Sequence, residues 1–440
     1  MYTPVLVVGG GPVGLTLSIL LSRYEIEHLV VEARLEPSPH PKARGLAARS
    51  MEIFRRCGLE DDVRAAGLPA DQVAFFRGRT LVDPDFVRTG PVSDGQPEHT
   101  PSPGLICSQD VLERVLTARA GERVRRGVRL VSYQQKADAV VGTLLDTRNG
   151  EETVVQADWL IGCDGVRSTV RAGANIDMAG PTGLGEFLSV RFEADLGAVV
   201  ADRASASYFL PAGGFMAVDN DRHWIFQYPL TGGVDSADLD LVALIRAGVG
   251  LDDLGVEIHD AVSWRMDAQL AAAYRSDRVL LAGDAAHAIP PTGGHGLNVG
   301  IGDADNLAWK LAAVHTAAAD PVLLDTYESE RRPVARQVID IATANARTEY
   351  RIDDLLLLTT DYGDPAAPLN LTGYHPSASI GARLPHAWLP DGRSTLDLVG
   401  FGPTHLSGNQ LPEQLRRECG LPETTSLSVR PDGHIAARRE

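Results

Sequence analysis

The amino-acid sequence predicts an α/β fold in which a parallel sheet with crossover helices is interleaved with a second, mainly β domain. Three observations lead to this prediction. The chain opens with an apolar strand, a glycine-rich turn, a helix and a second strand, which is the order of a βαβ unit. Residues 185–264 then form a series of strands rich in aromatic residues. From residue 278 a buried strand returns, and long helices follow it.

Each element has a local signal in hydrophobic period, β-branched content or helix-stop residues. Strands are predicted at residues 3–8, 28–32, 128–133, 137–146, 151–155, 159–163, 187–192, 205–210, 215–218, 223–228 and 278–282. Helices are predicted at residues 12–23 and 49–57 and after Ser108, Asn298 and Pro321. We expect the last helix to break at Pro333, because proline removes a backbone donor.

A glycine-rich turn joins the first strand to the first helix. Residues 9–14, Gly-Gly-Gly-Pro-Val-Gly, contain the pattern GxGxxG. Gly9 allows a tight turn, Gly11 lets a pyrophosphate approach the backbone, and Gly14 lets helix and strand pack closely. Glu32 ends the second strand, where a carboxylate accepts hydrogen bonds from an adenosine ribose. A turn needed only for packing would not require this order of elements, so the sequence predicts a dinucleotide site.

Three later motifs decide which dinucleotide is bound. Asp164 and Gly165 follow a predicted strand, Asp284 follows another, and residues 290–298 form a glycine-rich loop that opens a helix. An acid at a strand end can bind a ribityl hydroxyl, and backbone N–H groups at a helix start suit the electron-rich edge of a flavin. Asp284 alone would also be a typical helix N-cap. Together the motifs favour a flavin.

Composition narrows the possible partners. The formal net charge of −17 disfavours nucleic acid and anionic membranes. No apolar run approaches the ~18 residues of a membrane span, and no basic leader precedes the first strand. The cysteines are widely spaced, so we expect neither a disulfide framework nor a metal site, and a cytoplasmic location. They are Cys57, Cys107, Cys163 and Cys419.

With these motifs, residues 1–347 resemble the class A flavoprotein aromatic hydroxylases, which have the para-hydroxybenzoate hydroxylase fold. The resemblance is greatest to members that tailor aromatic polyketides and indole alkaloids. It implies that Gln109 contacts FAD. The family usually has Arg where this chain has Lys42, which keeps the charge but lacks the planar fork, and Arg44 is a second candidate for the pyrophosphate.

The motifs and the resemblance together imply a set of cofactor-binding residues. They are Gly9, Gly11, Pro12, Gly14, Glu32, Lys42, Arg44, Gln109, Asp164, Gly165, Asp284, Pro291, Gly294, Gly296, Leu297 and Asn298. Of these, the residues around Gly9 and Glu32 would bind the ADP half of FAD, and Asp284 its ribityl chain. The Asp164-Gly165 pair matches a motif that serves both FAD and NAD(P)H, and Leu297 and Asn298 would touch the isoalloxazine ring.

The resemblance also predicts the domain organisation. Residues 1–180 and 269–360 would form the Rossmann-like FAD-binding domain, and residues 181–268 a substrate-binding β-sheet domain. Residues 361–440 resemble a shortened thioredoxin-like domain, without the CxxC pair of a redox role. We expect a monomer or a homodimer.

The activity that the resemblance implies is aromatic hydroxylation. FAD would be bound non-covalently, NADPH or NADH would dock transiently and deliver hydride, and O₂ would form a flavin C(4a)-hydroperoxide. The expected substrate is a polycyclic phenol or quinone of secondary metabolism, such as an antibiotic intermediate. A Baeyer–Villiger or oxidatively decarboxylating oxygenase remains an alternative, as does a non-catalytic flavin redox sensor. Neither the CxxxxC of a flavin disulfide reductase nor the WxWxIP of a halogenase is present.

Substrate contacts are predicted from the aromatic-rich sheet. Residue alternation places Trp224, Phe226 and Tyr228 on one strand face, which either lines the substrate cavity or packs in the core. Tyr208 and Arg222 are candidate partners for a phenol or carboxylate. His295 is a candidate base beside the flavin, with an exposed loop histidine as the alternative.

Overall fold

The computed structural model of the chain describes residues 1–38, 40, 42–69, 72–89, 97–232, 234–347, 353, 355–364, 367–370 and 373–439. Its α-helices are α1 Pro12–Arg23, α2 Ala48–Cys57, α3 Glu60–Ala66, α4 Gln109–Ala120, α5 Thr169–Gly173, α6 Gly197–Val200, α7 Leu241–Val249, α8 Gly296–His315, α9 Asp325–Asn345 and α10 Glu413–Glu418. Among the described residues, no helix is both long enough and apolar enough to span a bilayer.

The strands form two large sheets and several small ones. In chain order they are β1 Tyr2–Val8, β2 His28–Glu32, β3 Gly45–Leu46, β4 Phe75–Arg77, β5 Val87–Thr89, β6 Leu105–Ile106, β7 Val124–Arg126, β8 Val128–Gln135, β9 Val140–Asp146, β10 Glu152–Gly162, β11 Met178–Ala179, β12 Gly185–Glu193, β13 Ser207–Leu210, β14 Gly213–Ala217, β15 His223–Pro229, β16 Glu257–Met266, β17 Gln269–Ala271, β18 Arg275–Ser276, β19 Val279–Leu281, β20 His287–Ala288, β21 Thr404–Ser407, β22 Ser426–Val429 and β23 Ile435–Arg439.

The first large sheet has the strand order β18-β19-β10-β1-β2-β7. β1 is parallel to β10 and β2, and α1 crosses between β1 and β2, which confirms the predicted βαβ opening. The two strands predicted at residues 151–155 and 159–163 are one continuous strand, β10. Its first half pairs antiparallel with β9 and its second half parallel with β1, so the partner changes without a break.

The helix that contains Pro333 is continuous, so the predicted break there is wrong. Buried contacts hold α9 on both sides of the proline. Arg331 donates to Asp303 of α8 at 2.8 Å, and the Glu330 carboxylate accepts from Lys310 at 2.8 Å. Val334 and Ala335 are also buried. Tertiary packing therefore outweighs the loss of one backbone donor.

The second large sheet has the order β16-β12-β15-β14-β13-β4-β5. Alternate residues on one face, such as Leu188, Val190 and Phe192, pack against Ile245 and Val249 of α7. The opposite face points toward the first domain. β4 and β5 come from the N-terminal part of the chain, so residues 75–89 belong to this sheet although they lie within the predicted first segment of the FAD-binding domain.

The C-terminal region forms a three-stranded antiparallel sheet, β21-β22-β23, beside α10. Its own apolar cluster includes Leu384, Leu427 and Ile435. Buried ion pairs attach it to the first domain, since the Arg383 guanidinium contacts the Glu52 carboxylate on α2. Its thioredoxin-like identity remains a prediction.

Candidate functional site

The glycine turn after β1 has the conformation that the motif predicts. Gly9 has a φ of +111°, and a Cβ there would collide with the Cys163 carbonyl. A Cβ at Gly14 would collide with the Gly9 carbonyl oxygen, so α1 can approach β1 only because residue 14 lacks a side chain. A Cβ at Gly11 would meet nothing within 4 Å. The backbone at Gly11 and the start of α1 are therefore open to an anion.

The Glu32 carboxylate lies against this turn. Its Oε2 accepts a 2.8 Å hydrogen bond from the Gly10 backbone N–H, and its Oε1 accepts one of 2.9 Å from Arg34 N–H. Each carboxylate oxygen retains a free acceptor position for a ribose hydroxyl. The position at the carboxyl end of β2 is the one that the sequence predicts.

Of the two basic residues in the loop after β2, Lys42 lies near enough to Asp284 to lower its pKa, whereas Arg44 contacts the second domain. The Arg44 guanidinium donates to the carbonyl oxygens of Ala206, at 3.0 Å, and Ala217, in the second domain. The expectation that Arg44 shares a pyrophosphate contact is therefore corrected, because its donors join the two domains. Gln109, at the start of α4, accepts from Ala43 N–H at 3.1 Å and so positions this loop.

The Asp164 carboxylate binds the first turn of α5, whose N-cap is Ser168. Its Oδ2 accepts from Thr169 N–H at 2.7 Å and Val170 N–H at 3.1 Å, and the Ser168 hydroxyl donates to its Oδ1. Burial raises the pKa of Asp164, and these hydrogen bonds oppose that rise. Gly165 has a φ of +79° and open space at its Cα. The pair forms a rigid turn beside the dinucleotide site.

Asp284 does not cap a helix, so the N-cap alternative is wrong. It lies within the short 3₁₀ turn Gly283–Ala285, whose N-cap is Ala282, and its side chain is exposed. Its carboxylate makes no hydrogen bond within the described part of the chain. The surrounding protein raises the pKa of Asp284 by desolvation, against the opposing charges of His287 and Lys42. An exposed carboxylate without a hydrogen-bond partner among the described residues is open to a hydroxyl-bearing ligand.

A buried ion network under Asp284 was not predicted from the sequence. Asp303 on α8 accepts from Gly283 N–H at 3.1 Å, contacts His287 Nε2 at 2.9 Å and pairs with Arg331 Nε at 2.8 Å. Burial alone would raise the pKa of Asp303, but Arg331 and His287 lower it overall. The network fixes the turn that carries Asp284. In the sequence, the only signal for this network is the acidic residue Asp303 within the helix predicted after Asn298.

The loop of residues 290–298 leads into α8. Gly294 has a φ of +69°, and the N–H groups of Gly293 and Gly294 bond to the Pro291 carbonyl. Asn298 joins this loop to α2: its Oδ1 accepts from Ala47 N–H at 2.8 Å, and its Nδ2 donates to the Gly294 carbonyl at 2.8 Å. Gly296 and the half-buried Leu297 form the first turn of the helix.

A cavity lies at this helix start, between the two domains. It is lined by Gly45, Leu46, Ala47, Val73, Phe75, Leu105, Ile106, Gly293, Gly294, His295 and Asn298. His295 is only 3% exposed, so the exposed-loop alternative is wrong. Its Nδ1 has no partner within the described residues, and burial lowers the pKa of His295 to about 4. The cavity lining is therefore mostly apolar, and its polar side chains are the neutral His295 imidazole and the Asn298 amide.

The predicted substrate residues on the second sheet require correction. Trp224 and Phe226 are fully buried and pack toward α7 with the half-buried Tyr228, so this face belongs to the core. Tyr208 is fully buried in the same cluster, and its hydroxyl bonds to the Arg203 carbonyl at 3.0 Å. Arg222 lies in an exposed turn before β15. The aromatic residues do alternate along β15, but the face that they form packs against α7.

FAD fits the residues present. Gly11 leaves open backbone at a helix start for the phosphates, Glu32 has free acceptor positions for a ribose, and Asp284 is a free acceptor for the ribityl chain. The described residues contain no group of three or more His, Cys, Asp or Glu that could hold a metal ion. The four cysteines are free thiols.

Comparison with known proteins agrees with this geometry. The family described as FAD binding domain matches residues 2–342. The chain is 33% identical to tetracenomycin B2 monooxygenase-dioxygenase of Streptomyces olivaceus, over 99% of this chain and 95% of that protein. It is 35% identical to aklavinone 12-hydroxylase DnrF of Streptomyces peucetius, over 90% and 89%. The solved ternary complex of aklavinone-11 hydroxylase with FAD and aklavinone matches at 31% identity and a TM-score of 0.89, over 99% and 95%.

Proposed function

We propose that this chain, which belongs to the FAD-binding family of class A flavoprotein aromatic hydroxylases, hydroxylates a polycyclic phenolic or quinoid intermediate of secondary metabolism. As a member of that family it is an FAD-dependent monooxygenase that uses O₂ and a reduced nicotinamide. The proposal adds the class of substrate and the position at which it is held.

The observation that carries the proposal is the apolar cavity between the start of α8 and the second sheet. Phe75 lies in its wall, and Phe209 packs beside Phe75 with the ring centroids 6.1 Å apart. Met216 and Ile225 alternate along their strands with residues that pack against α7, so their side chains lie on the opposite face of the sheet. Phe75 lies on that same face. Such a wall suits a broad planar ligand held by burial and stacking.

Two relatives support the size of this ligand. The matched DnrF protein is named for hydroxylating aklavinone, and the solved hydroxylase complex contains aklavinone together with FAD. A compound with several fused rings would extend from the start of α8 across the sheet face. We propose that this chain takes a substrate of that general class.

His295 is the proposed polar anchor of the cavity. It is neutral near pH 7 because burial lowers its pKa to about 4. A neutral imidazole can donate one hydrogen bond and accept another, so it can orient a phenol or a quinone carbonyl without adding charge. In this proposal His295 positions the ring and takes no net proton.

Bound FAD supplies the hydride acceptor and the oxygen-activating ring. The chain's residues do the rest: the Gly9–Gly14 turn, Glu32 and Asp284 bind and orient the dinucleotide, and the apolar wall excludes water. Lys42 places a positive charge near the Asp284 carboxylate. That the Asp164-Gly165 turn also contacts NAD(P)H remains a proposal.

The test is oxygen incorporation by the purified protein under ¹⁸O₂ with NAD(P)H and a panel of phenols, naphthoquinones, anthracyclinones and indolocarbazoles. We expect a product with one labelled hydroxyl and an intact carbon skeleton. A labelled lactone would support a Baeyer–Villiger reaction, and loss of CO₂ an oxidative decarboxylation. NAD(P)H consumption with no labelled product from any compound would contradict the proposal.

A further inference from the structure

A buried histidine joins the loop after β2 to the second sheet. His40 Nδ1 lies 3.2 Å from Asp260 Oδ2, and His40 Nε2 lies 2.7 Å from Ser189 Oγ. His40 is 7% exposed, whereas the Asp260 side chain is 36% exposed. Neither the sequence motifs nor the cavity described above gives this histidine a role.

The contacts continue across three strands of the sheet. Gln227 Nε2 donates to Ser189 Oγ at 2.6 Å, and Trp264 Nε1 donates to Gln227 Oε1 at 3.2 Å. The register explains the arrangement: Ser189 pairs with Gln227 on β15 and with Val262 on β16. Asp260 and Trp264 lie two residues on either side of Val262 and so share its face.

Each hydrogen bond in this series of five side chains has a fixed direction. The Trp264 indole N–H can only donate, and the Asp260 carboxylate can only accept. Gln227, Ser189 and His40 must therefore each accept from one neighbour and donate to the next. This requires a neutral His40 with its proton on Nδ1 and its Nε2 free to accept from the Ser189 hydroxyl. If His40 were protonated on Nε2, the Ser189 proton would lose its acceptor.

We propose that these five residues form a clasp (Trp264, Gln227, Ser189, His40 and Asp260) that holds the loop carrying Lys42 against the second sheet, with His40 as its positioning residue. Lys42 lies near Asp284, so the clasp controls how firmly bound FAD is covered. The inference needs FAD binding alone and does not depend on the proposed substrate.

The charges around His40 come from three elements. Burial is the largest influence and lowers the pKa of His40, Asp260 on β16 raises it, and Arg191 on β12 and Lys42 on the loop lower it further. Within the described residues neither Arg191 nor Lys42 makes an ion pair. The clasp is therefore complete at neutral pH, whereas on acidification His40 Nε2 becomes a donor and the Ser189 hydroxyl proton loses its acceptor.

The experiment is an FAD titration of the full chain from about pH 8 to about pH 5, a range that spans histidine titration. In the unsubstituted protein we expect FAD affinity to fall about fivefold through the pKa of His40, the factor for one lost hydrogen bond. His40→Asn, which can keep a donor toward Asp260 but has no acceptor at the position of the His40 Nε2 atom, should show weak binding throughout and no step.

Two charge variants separate positioning from a general structural role. Asp260→Asn removes the group that raises the pKa of His40, so the step should move to lower pH. Arg191→Gln removes a group that lowers this pKa, so the step should move to higher pH. Arg222→Gln makes the same charge change in an exposed turn and should leave the midpoint unchanged.

A step that persists in His40→Asn, or equal midpoints in the two charge variants, would overturn the clasp. Thermal unfolding at pH 8 identifies any variant that has failed to fold. His40→Gln then serves as the second substitution, because it retains an acceptor for Ser189. It should bind FAD more tightly than His40→Asn. If the Asp260→Asn and Arg191→Gln midpoints shift in opposite directions but the protein hydroxylates no aromatic compound, the clasp stands and only the proposed function is rejected.

Discussion

The Gly10 backbone N–H donates a 2.8 Å hydrogen bond to the Glu32 carboxylate, which fixes the glycine turn of β1 to the end of β2. Glu32 also receives the Arg34 N–H. One side chain therefore both shapes the phosphate-binding turn and presents acceptors to a ribose. Both roles depend on the same carboxylate.

We expect Glu32→Ala to weaken FAD binding by about 1–3 kcal/mol, since charge-assisted hydrogen bonds to the ribose and the turn are lost. FMN, which has no adenosine, should lose much less affinity. Fluorescence titration with both flavins measures the difference. Glu32→Gln, which keeps one acceptor oxygen, is the matched control. Its FAD affinity should lie between that of the unsubstituted protein and that of Glu32→Ala. Equal losses for FAD and FMN would argue against the ribose assignment.

Asp284→Ala should reduce FAD affinity about tenfold or more, because the free carboxylate acceptor is lost. Asp267→Ala is the control, since that carboxylate already pairs with Arg265 at 2.8 Å on the protein surface. The measurement is FAD retained after gel filtration of each variant. Unchanged retention in the Asp284 variant would remove this residue from the cofactor site.

Asp303→Ala should destabilise the fold by about 3–5 kcal/mol, because it leaves Arg331 buried without its partner. Asp325→Ala, which breaks an exposed pair with Arg275, should cost less than about 1 kcal/mol. Urea unfolding of both variants gives the comparison. Similar costs for the two would mean that the network contributes little.

The same network predicts a pH dependence of stability. The pKa of Asp303 is lowered in the folded state, so its contribution is complete above the pKa of the unfolded chain, near about 4. The contribution should decline as the pH falls from there through the folded pKa. The Asp303→Asn variant should lack this part of the acid loss, which unfolding curves between about pH 5 and about pH 3 would reveal.

His295→Phe should raise the KM for the aromatic substrate about five- to thirtyfold, the range expected for one or two lost hydrogen bonds, with FAD affinity nearly unchanged. Since the pKa of His295 is lowered to about 4, its titration should leave no trace in the rate profile above about pH 5. An acid limb near pH 6.5 that disappears in the variant would assign His295 a protonated role instead.

The sequence predicted the parts of the site that depend on the local chain. Gly9, Gly14 and Glu32 act within one βαβ unit, so their spacing carries their geometry. His40 and Asp303 were missed because their partners are far away along the chain: Ser189 is 149 positions from His40, and Arg331 is 28 from Asp303.

Other errors arose where tertiary packing decides the outcome. Alternation showed that Trp224 and Phe226 share a face but not which layer covers it, and α7 proved to cover that face. Arg44 had the charge of a phosphate ligand, yet its donors bond to Ala206 and Ala217. Local patterns cannot distinguish such uses of the same side chain.

We propose that the mostly apolar cavity beside bound FAD accepts a polycyclic aromatic ring. The most direct measurement is the ratio of hydroxylated product to NAD(P)H consumed, under air, with substrates of increasing ring number. We predict that the ratio rises with fused, multi-ring phenols and quinones, because a ligand that fills the cavity excludes water. Tight coupling with simple monocyclic phenols and none with polycyclic compounds would contradict the claim.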